Sequence, residues 1–256
     1  MKTSSVLRST WAVAACQAMV VVAGLAAWEF ASGRLVKPMW VSRPGDVFRL
    51  VAEWLADGSL WGHLETTLVE MALGFAIGGV LGIVGGFALG LLPTVAGVLS
   101  PLLTGFYAMP KVALAPLFIL LFGIDLGSKI ALVAVTVFFL VFMNALSGVR
   151  EADADLADAL RLMGASEAEV FAKVVVPGAA IWVFNGLRIS VRYALTAAVY
   201  GEIVASNRGV GFLVSYYRGQ LDAAGTFAAL FVLMVLGLVF TVLVSRVETR
   251  ALRWKI

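Results

Sequence analysis

Ionisable side chains inside long apolar stretches are the part of this sequence with the clearest capacity for chemistry. They include Glu70, Lys111, Arg188, Arg192 and Glu202. A charged group at membrane depth is costly, so each is a functional candidate by default. Arg188 and Arg192 are one helical turn apart and share a face, and the planar donor fork of arginine binds anions. Two interpretations stay open: these arginines line a pathway for an anion, or they pair with Glu70 or another carboxylate on a neighbouring helix.

Lys111 lies in "YAMPKVALAP", between Pro110 and Pro116. The two prolines remove backbone donors inside an apolar segment, and such breaks persist where the backbone faces protein or a water-filled cavity. A functional kink beside a pathway and a purely structural bend both fit this pattern. Glu202 follows Arg188 by 14 residues, about 21 Å along a helix, so these two cannot pair within one helix.

Residues for catalysis are scarce. The chain has one cysteine, Cys16, and one histidine, His63, which excludes a disulfide framework and a metal site built from several Cys and His ligands of one chain. A membrane-embedded enzyme would need a His, Asp and Glu cluster or a nucleophile beside a base. No GxxxxGK[ST] loop is present, so the chain is not expected to hydrolyse ATP. A net charge of +3 without a dense basic run argues against nucleic acid as a partner.

The elements that hold these side chains are predicted to be membrane helices. Apolar residues make up 61% of the 256 residues and charged residues 14%, and the mean hydropathy is +0.98. A soluble domain is nearer half apolar and a quarter charged. A membrane helix needs roughly 20 apolar residues. Six segments qualify, at about 10–30, 66–92, 97–123, 128–148, 178–204 and 225–247.

Basic residues flank both ends of this bundle. They are Lys2, Arg8, Arg246, Arg250, Arg253 and Lys255. Six crossings put both termini on one side, and the positive-inside tendency predicts that this side is the cytoplasm. The apolar run Trp11–Trp28 is longer than the core of a signal peptide, so an uncleaved first span is expected.

The segment 31–62 lies outside the membrane on this topology. An apolar stripe in it consists of Val47, Leu50, Val51, Trp54 and Leu55. This helical spacing predicts an amphipathic helix lying on the membrane surface. Gly58 is expected to end that helix.

Glycines recur at every fourth residue of the second span, from Gly74 through Gly90. Small residues at this spacing form a groove that lets another helix approach closely. Each four-residue step drifts by about 40° around the helix, so the groove winds and is not expected to serve one straight neighbour along its whole length. General packing within the bundle and a seam between two copies both stay open.

A polar island interrupts the apolar sequence at 150–177. Its charged residues are Arg150, Glu151, Asp153, Asp155, Asp158, Arg161, Glu167, Glu169 and Lys173. Leu156, Leu160 and Met163 are spaced as the apolar stripe of a helix. Gly164 follows this stripe, where a helix ends with a left-handed residue.

A second short helix is predicted after Gly164. Ser166 and Glu169 have the spacing of a capping box, and Val170, Phe171 and Val174 give the helix an apolar side. Pro177 suits the first turn of the next spanning helix, where its missing donor costs nothing. The island therefore predicts a helix–turn–helix elbow with exposed apolar residues. It is either a docking surface for a partner or an ordinary structured loop.

This island resembles the "EAA" loop of the inner-membrane permease subunits of ABC importers. In that family Glu-Ala-Ala, three residues, glycine and nine residues precede an aliphatic-x-aliphatic-proline ending. Gly164, Val174, Val176 and Pro177 match, whereas the triplet 158–160 is Asp-Ala-Leu. The segments "HLETTLVEMALGF", "VFMNALSGVREAD" and "GEIVASNRGVGFLV" resemble the nitrate, sulfonate and taurine branch. That branch also transports thiamine- and riboflavin-related compounds, and its members commonly have a basic residue where this chain has Glu70.

The resemblance implies an all-α membrane protein with the type I ABC importer permease (MetI-like) fold. Residues 1–62 would be the first membrane helix plus an extracytoplasmic amphipathic segment, and 63–256 the transmembrane core. The loop 150–177 would couple the chain to a cytoplasmic ATPase. The residues implied in this coupling are Leu156, Asp158, Ala159, Leu160, Met163, Gly164, Ala165, Phe171 and Pro177.

The resemblance also implies the partners and the solute. A dimer of ATPase subunits would bind ATP and Mg²⁺, a second permease copy would complete the pathway as a homodimer, and an extracytoplasmic binding protein would deliver the solute. This chain would bind no cofactor and would lie in the inner membrane. A small anionic organic solute, of the sulfonate, taurine or nitrate type, or a vitamin precursor is expected. Pathway candidates are Arg188, Arg192, Glu202, Glu70, Pro110 and Lys111.

A stand-alone secondary transporter or channel is the alternative from another class. The sequence lacks the internal two-fold repeat common in secondary transporters, and a self-powered carrier has no need of a docking elbow.

Overall fold

The computed structural model describes residues 10–37 and 39–251, and this part of the chain is helical almost throughout. Its helices are α1 (Thr10–Ala31), α2 (Pro44–Ala56), α3 (Ser59–Gly90), α4 (Pro93–Ala108), α5 (Ala115–Phe122), α6 (Leu126–Arg150), α7 (Ala154–Leu162), α8 (Glu167–Val170), α9 (Val176–Val204), α10 (Val210–Gly219) and α11 (Ala223–Ala251). A 3₁₀ turn (Lys111–Leu114) precedes α5, and a π-helical turn (Phe171–Val175) joins α8 to α9.

The structure supports five or six membrane spans, where the sequence predicts six. Within the described ranges α1, α3, α6, the joined α8–α9 helix and α11 are each long and apolar enough to span a bilayer. The predicted span 97–123 is broken, because α4 and the segment Lys111–Phe122 meet at an angle of 82°. Pro110 lies at this break in an extended conformation. The terminal basic residues Lys2, Arg8, Arg253 and Lys255 lie outside the described residues.

The glycine stripe of α3 faces α6 along its whole length, whereas we expected that one straight neighbour could not fill it. A Cβ atom at Gly74 would lie 2.5 Å from Val133, and one at Gly90 would lie 2.7 Å from Val149. The three glycines between them meet the intervening turns of α6 in the same way. The groove winds around α3, and α6 follows it. This is expected when the contacts between two helices repeat at a spacing longer than the 3.6 residues of a helical turn. Because α6 fills the stripe, the alternative that two copies of the chain pack together at this stripe is wrong.

The direction of the helices follows from these contacts. Both α3 and α6 begin at the same end, so the broken segment between them returns the chain across the membrane once. Helix α9 runs opposite to α6: Gly148 meets Ala179 and Trp182, whereas Gly201 meets Lys129. Valines and alanines of α6 and α9 form the core between these helices, together with Met71 of α3.

The chain divides into two compact units. One consists of the described part of Met1–Leu60 with Leu213–Val232, and the other of Trp61–Phe212 with the described part of Leu233–Ile256. In the first unit α2 is the predicted amphipathic helix. Val47 and Trp54 are buried, and Trp54 stacks on Tyr217 with ring centroids 5.3 Å apart. This part of the apolar face therefore packs on protein, and not on lipid as predicted. The positive φ of Gly58 follows the end of α2.

Candidate functional site

The elbow, residues 150–177, begins with α7 and turns at Gly164. Helix α7 starts where the Asp153 carboxylate accepts a hydrogen bond from the Leu156 N–H, 3.0 Å away. It ends with Gly164 at φ +89°. The N–H of Ala165 donates to the Leu160 carbonyl at 3.0 Å, and the N–H of Gly164 donates to the Arg161 carbonyl at 2.9 Å. This pair of bonds is a Schellman motif, so the predicted left-handed termination is confirmed.

The second arm of the elbow starts with the predicted capping box. Ser166 accepts from the Glu169 N–H at 3.3 Å, and the Glu169 carboxylate accepts from the Ser166 N–H at 2.9 Å. Arg161 joins the two arms, donating to Glu167 at 2.8 Å and to Asp158 at 2.9 Å. The hydrogen bonds from Arg161 to Glu167 and then to Asp158 raise the pKa of its guanidinium above the ordinary value. These contacts fix the angle between the arms.

The apolar residues of the elbow divide into an interior and an exposed group. Ala157, Val170 and Val174 are buried together, with Leu160 and Ala165 packed against them. Leu162 and Met163, by contrast, are 90% and 83% exposed, and Leu156 is 50% exposed. Of the predicted stripe, Leu160 therefore faces inward, whereas Leu156 and Met163 face outward. Ala159, between the stripe residues, is exposed.

The second arm does not stop before the next span, in contrast to the prediction of a separate short helix. Helix α8 continues through the π-helical turn into α9, so Glu167–Val204 forms one continuous helical segment. Pro177 lies in the first turn of α9, but no break precedes it, because the preceding turn adopts π-helical hydrogen bonding. The Phe171 ring packs edge-on against Phe87 of α3, with centroids 5.9 Å apart.

A cavity of about 430 Å³ opens at the break between α4 and α5. Pro110 and Lys111 line it from the break, Thr136 from α6 and Thr196 from α9. The Lys111 ammonium donates to the Tyr107 carbonyl at the end of α4. It also lies 5.1 Å from the ring centroid of Tyr107. The break predicted from two prolines is thus the wall of a cavity.

Arg188 and Arg192 lie on the same helix as Thr196 and share its face at four-residue steps. Both side chains are exposed. The interpretation that these arginines pair with Glu70 is wrong. The Glu70 carboxyl lies beside Glu202 and Lys129, at the level of Glu202, which is about 21 Å along α9 from Arg188.

Glu202 lies in a buried polar cluster that we call the latch: His63, Thr67, Glu70, Lys129, Glu202 and the turn 209–211. The Glu202 carboxylate accepts from the Thr67 hydroxyl at 2.6 Å and from the Gly211 N–H at 2.5 Å. Thr67 in turn accepts from the Val210 N–H at 2.9 Å. These groups bind the free N–H groups at the start of α10, where a negative charge is also favoured by the helix dipole.

Glycine is required in this turn. Gly209 has φ +106°, and a Cβ there would collide with the Glu202 carboxyl. Its N–H donates to Nδ1 of His63 at 3.1 Å, and the His63 ring stacks on Phe212. Glu202 and Glu70 are each 1% exposed. No residue of the latch lines the cavity at Lys111, so the two sites are separate. A second cavity of about 340 Å³ opens beside Glu70 and Lys129.

Several residues of these sites were not found from the sequence. Leu162, the most exposed apolar side chain of the elbow, is outside the predicted stripe because a residue six positions after Leu156 lies on another face of the helix. Thr67, Lys129 and the ring of His63 join the latch through contacts between distant segments. The spacing of polar residues on α3 was an available signal for this cluster. His63, Thr67 and Glu70 lie at i, i+4 and i+7, and therefore on one face of the helix. Among residues 10–37 and 39–251, no group of three or more His, Cys, Asp or Glu could hold a metal ion.

Several sequence relatives match most of the chain, among them the following two. The taurine transport system permease protein TauC of Escherichia coli is 30% identical over 89% of this chain and 84% of its own length. The formylaminopyrimidine transport permease protein ThiX of Halalkalibacterium halodurans is 28% identical over 89% of this chain and 91% of its own length.

A solved structure of similar fold and a matching protein family indicate the same class of protein as these relatives. A structure of the MetNI methionine ABC transporter in an inward-facing conformation aligns with 78% of this chain and 97% of its own, with a TM-score of 0.60 at 21% identity. Residues 78–253 match the family described as binding-protein-dependent transport system inner membrane component. The chain therefore belongs to this family, the permease subunits of ABC importers.

Proposed function

We propose that the chain forms the translocation pathway of an ATP-driven importer for a small organic anion, and that the elbow is the surface on which its ATPase docks. As a permease subunit the chain is not an enzyme, and ATP is hydrolysed by a separate subunit. The observation that carries the docking proposal is the pair Leu162 and Met163. These adjacent apolar side chains are 90% and 83% exposed on a scaffold fixed by a Schellman motif and a capping box.

Exposed apolar residues next to charged ones suit a protein partner. Leu162, Met163 and Leu156 would fill an apolar groove on the ATPase, while Asp158 stays at the polar rim, paired with Arg161. The remaining coupling candidates support the shape of the elbow. Leu160 and Ala165 pack inside it, and Gly164 allows its turn.

The continuous helix from α8 to α9 supplies the route from the elbow into the membrane. A docked ATPase that displaces Glu167 would move the same helix that carries Arg192 and Thr196, since no flexible break separates them. Rigid elements of this kind transmit displacements over tens of ångströms. The latch holds the far end of α9 through Glu202, so this movement would be a tilt about that end.

Two copies of the chain form the pathway in this proposal, with both termini in the cytoplasm and an extracytoplasmic binding protein at the opposite face. Residues 1–62 provide the first membrane helix and an extracytoplasmic segment, and 63–256 provide the transmembrane core. Pro110, Lys111, Arg188 and Arg192 lie along the pathway, whereas we assign Glu70 and Glu202 to the latch.

The proposed solute is a simple organic sulfonate, and a vitamin precursor is the second candidate. Cationic residues at membrane depth favour an anion. One relative is a taurine permease protein, and taurine carries a sulfonate. Another is a formylaminopyrimidine permease protein, which supports the second candidate.

Co-purification with the ATPase subunit of the importer tests the docking proposal. Leu162→Asp and Met163→Asp should each reduce the amount of ATPase retained on the tagged permease by at least tenfold, because a charge would have to be buried in an apolar groove. Leu35→Asp is a matched control, since Leu35 is also exposed, at 77%, but lies outside the elbow. Retention of the ATPase by both elbow variants at the parental level would refute docking at this surface.

A further inference from the structure

We propose that the cavity at the break between α4 and α5 binds the transported solute within the membrane, and that Lys111 holds the charged group of a monoanion with a compact apolar or aromatic body. This inference rests on the proposed function and adds to it a place where the solute stops and a chemical class for it. The juxtaposition that carries it is one cation, two tyrosine rings, two threonines and an apolar remainder around a single cavity.

The cavity has the size and the position of a binding site for one small molecule. Its volume of about 430 Å³ falls in the range of small-ligand pockets, roughly 300–1,000 Å³. Three separate membrane elements line it: the broken span with Met109, α6 with Thr136 and Leu140, and α9 with Tyr193. A solute there would touch the helix that continues into the elbow, so movement of α9 would change the cavity.

Lys111 is held at the wall of this cavity with its charge uncompensated. Its ammonium donates to the Tyr107 carbonyl and lies 5.1 and 5.3 Å from the ring centroids of Tyr107 and Phe139. Over the described ranges, no carboxylate forms an ion pair with it. One carbonyl occupies one of the three ammonium donors. The other donors and the net charge are available to an anionic ligand.

The rest of the lining limits the ligand to one charged group. The hydroxyls of Thr136 and Thr196 already donate to the carbonyls of Leu132 and Arg192, at 2.7 and 2.9 Å, so they offer only acceptor lone pairs. Met109, Val112 and Leu140 are apolar, and tyrosine rings add flat surfaces for an aromatic or aliphatic body. A solute with several charges would leave all but one of them without a cationic partner.

Helix α9 extends the cationic surface from the cavity toward the elbow. Arg192 and Arg188 precede Thr196 by one and two turns on the same face, at steps of about 6 Å. An arginine exposed to lipid at this depth would be costly, so the exposed Arg192 side chain faces water or protein in the assembled transporter. An anion released from Lys111 would meet Arg192 next on the way to the cytoplasm.

Equilibrium dialysis of the permease–ATPase complex in nanodiscs, without the binding protein, tests the site. The probes are benzenesulfonate and benzoate, each compared with its neutral analogue, benzenesulfonamide or benzamide. We expect at least one anion to bind tenfold or more tightly than its neutral analogue. Lys111→Met should reduce this preference to within about twofold while the neutral analogue binds as before, and Lys111→Arg should retain the preference.

The controls separate this site from general effects. Arg49→Met removes an exposed cation of α2 and should leave the anion preference unchanged. Thr196→Phe fills the cavity from α9 without touching the Lys111 contacts, and should abolish binding of all four probes. Equal binding of anions and neutral analogues by the parent, a preference that survives Lys111→Met, or binding that survives Thr196→Phe would each overturn the proposal. If the ATPase stays bound to the permease in the same nanodiscs, docking at the elbow is supported even where the cavity does not bind the anions.

Discussion

Gly164 is the residue on which the shape of the elbow depends most directly. It ends α7 with φ +89° and donates one of the two Schellman hydrogen bonds, to the Arg161 carbonyl. We predict that Gly164→Val uncouples ATP hydrolysis from uptake. The reason is that valine disfavours the left-handed turn that sets the angle between the two arms.

The magnitude follows from the surroundings of Gly164. A Cβ atom there would meet nothing within 4 Å, so the substitution causes no clash and its cost lies in the backbone. A non-glycine residue in the left-handed region costs about 1–2 kcal/mol, and a β-branched residue is the least tolerated. This cost lowers the population of the native turn, relative to opened forms, by about 5- to 30-fold.

The assay is solute uptake per ATP hydrolysed, in proteoliposomes that contain the permease, its ATPase and its binding protein, with the solute of that binding protein. We expect the ratio to fall for Gly164→Val while ATP hydrolysis continues. Gly164→Asn is the matched variant, because asparagine adopts left-handed conformations more readily, and it should keep most of the coupling. Parental coupling by the valine variant at equal membrane abundance would refute the argument.

Two further predictions concern packing inside the membrane. Gly78→Val should lower membrane abundance and thermal stability, because its Cβ would collide with the backbone of Ala134, which cannot rotate away. Gly62→Ala, with nothing within 4 Å, should be neutral, and equal stability of the two variants would contradict the close contact of α3 with α6. Thr67→Val should destabilise the purified protein by about 1–3 kcal/mol for each buried group left without a partner, measured as a lower melting temperature. Thr67→Ser keeps the hydroxyl that donates to Glu202 and should melt near the parental temperature, whereas parental melting of the valine variant would count against the latch.

The elbow could be predicted in detail because its structure depends on near neighbours. The Gly164 turn and the Ser166–Glu169 capping box each involve residues within five positions of one another, so their geometry follows from residue type and spacing. The number of membrane spans was equally accessible, since it depends on the length of apolar runs. The resemblance to ABC importer permeases came from the same local motifs.

The packing of the glycine stripe shows where such reasoning fails. The drift of 40° at each step was correct for α3 alone, but the prediction assumed a straight neighbour. Whether α6 winds with the groove depends on the residues of α6 that enter it, such as Val133 and Val149. The continuity of α8 with α9 was missed for a related reason, because a π-helical turn has no sequence signature comparable to a capping box.

By itself, the sequence determined that this is a multi-pass membrane protein with a polar, capped elbow and a few costly charges inside its spans. Those features arise from short-range hydrogen bonding and from the hydrophobicity of each segment. Only the tertiary structure decided which charges meet. It buries Glu202 against Thr67, 135 residues away, and leaves Lys111 beside a cavity. The physical reason is that a side chain's partner is set by how distant helices pack, and spacing along the chain carries no information about that distance.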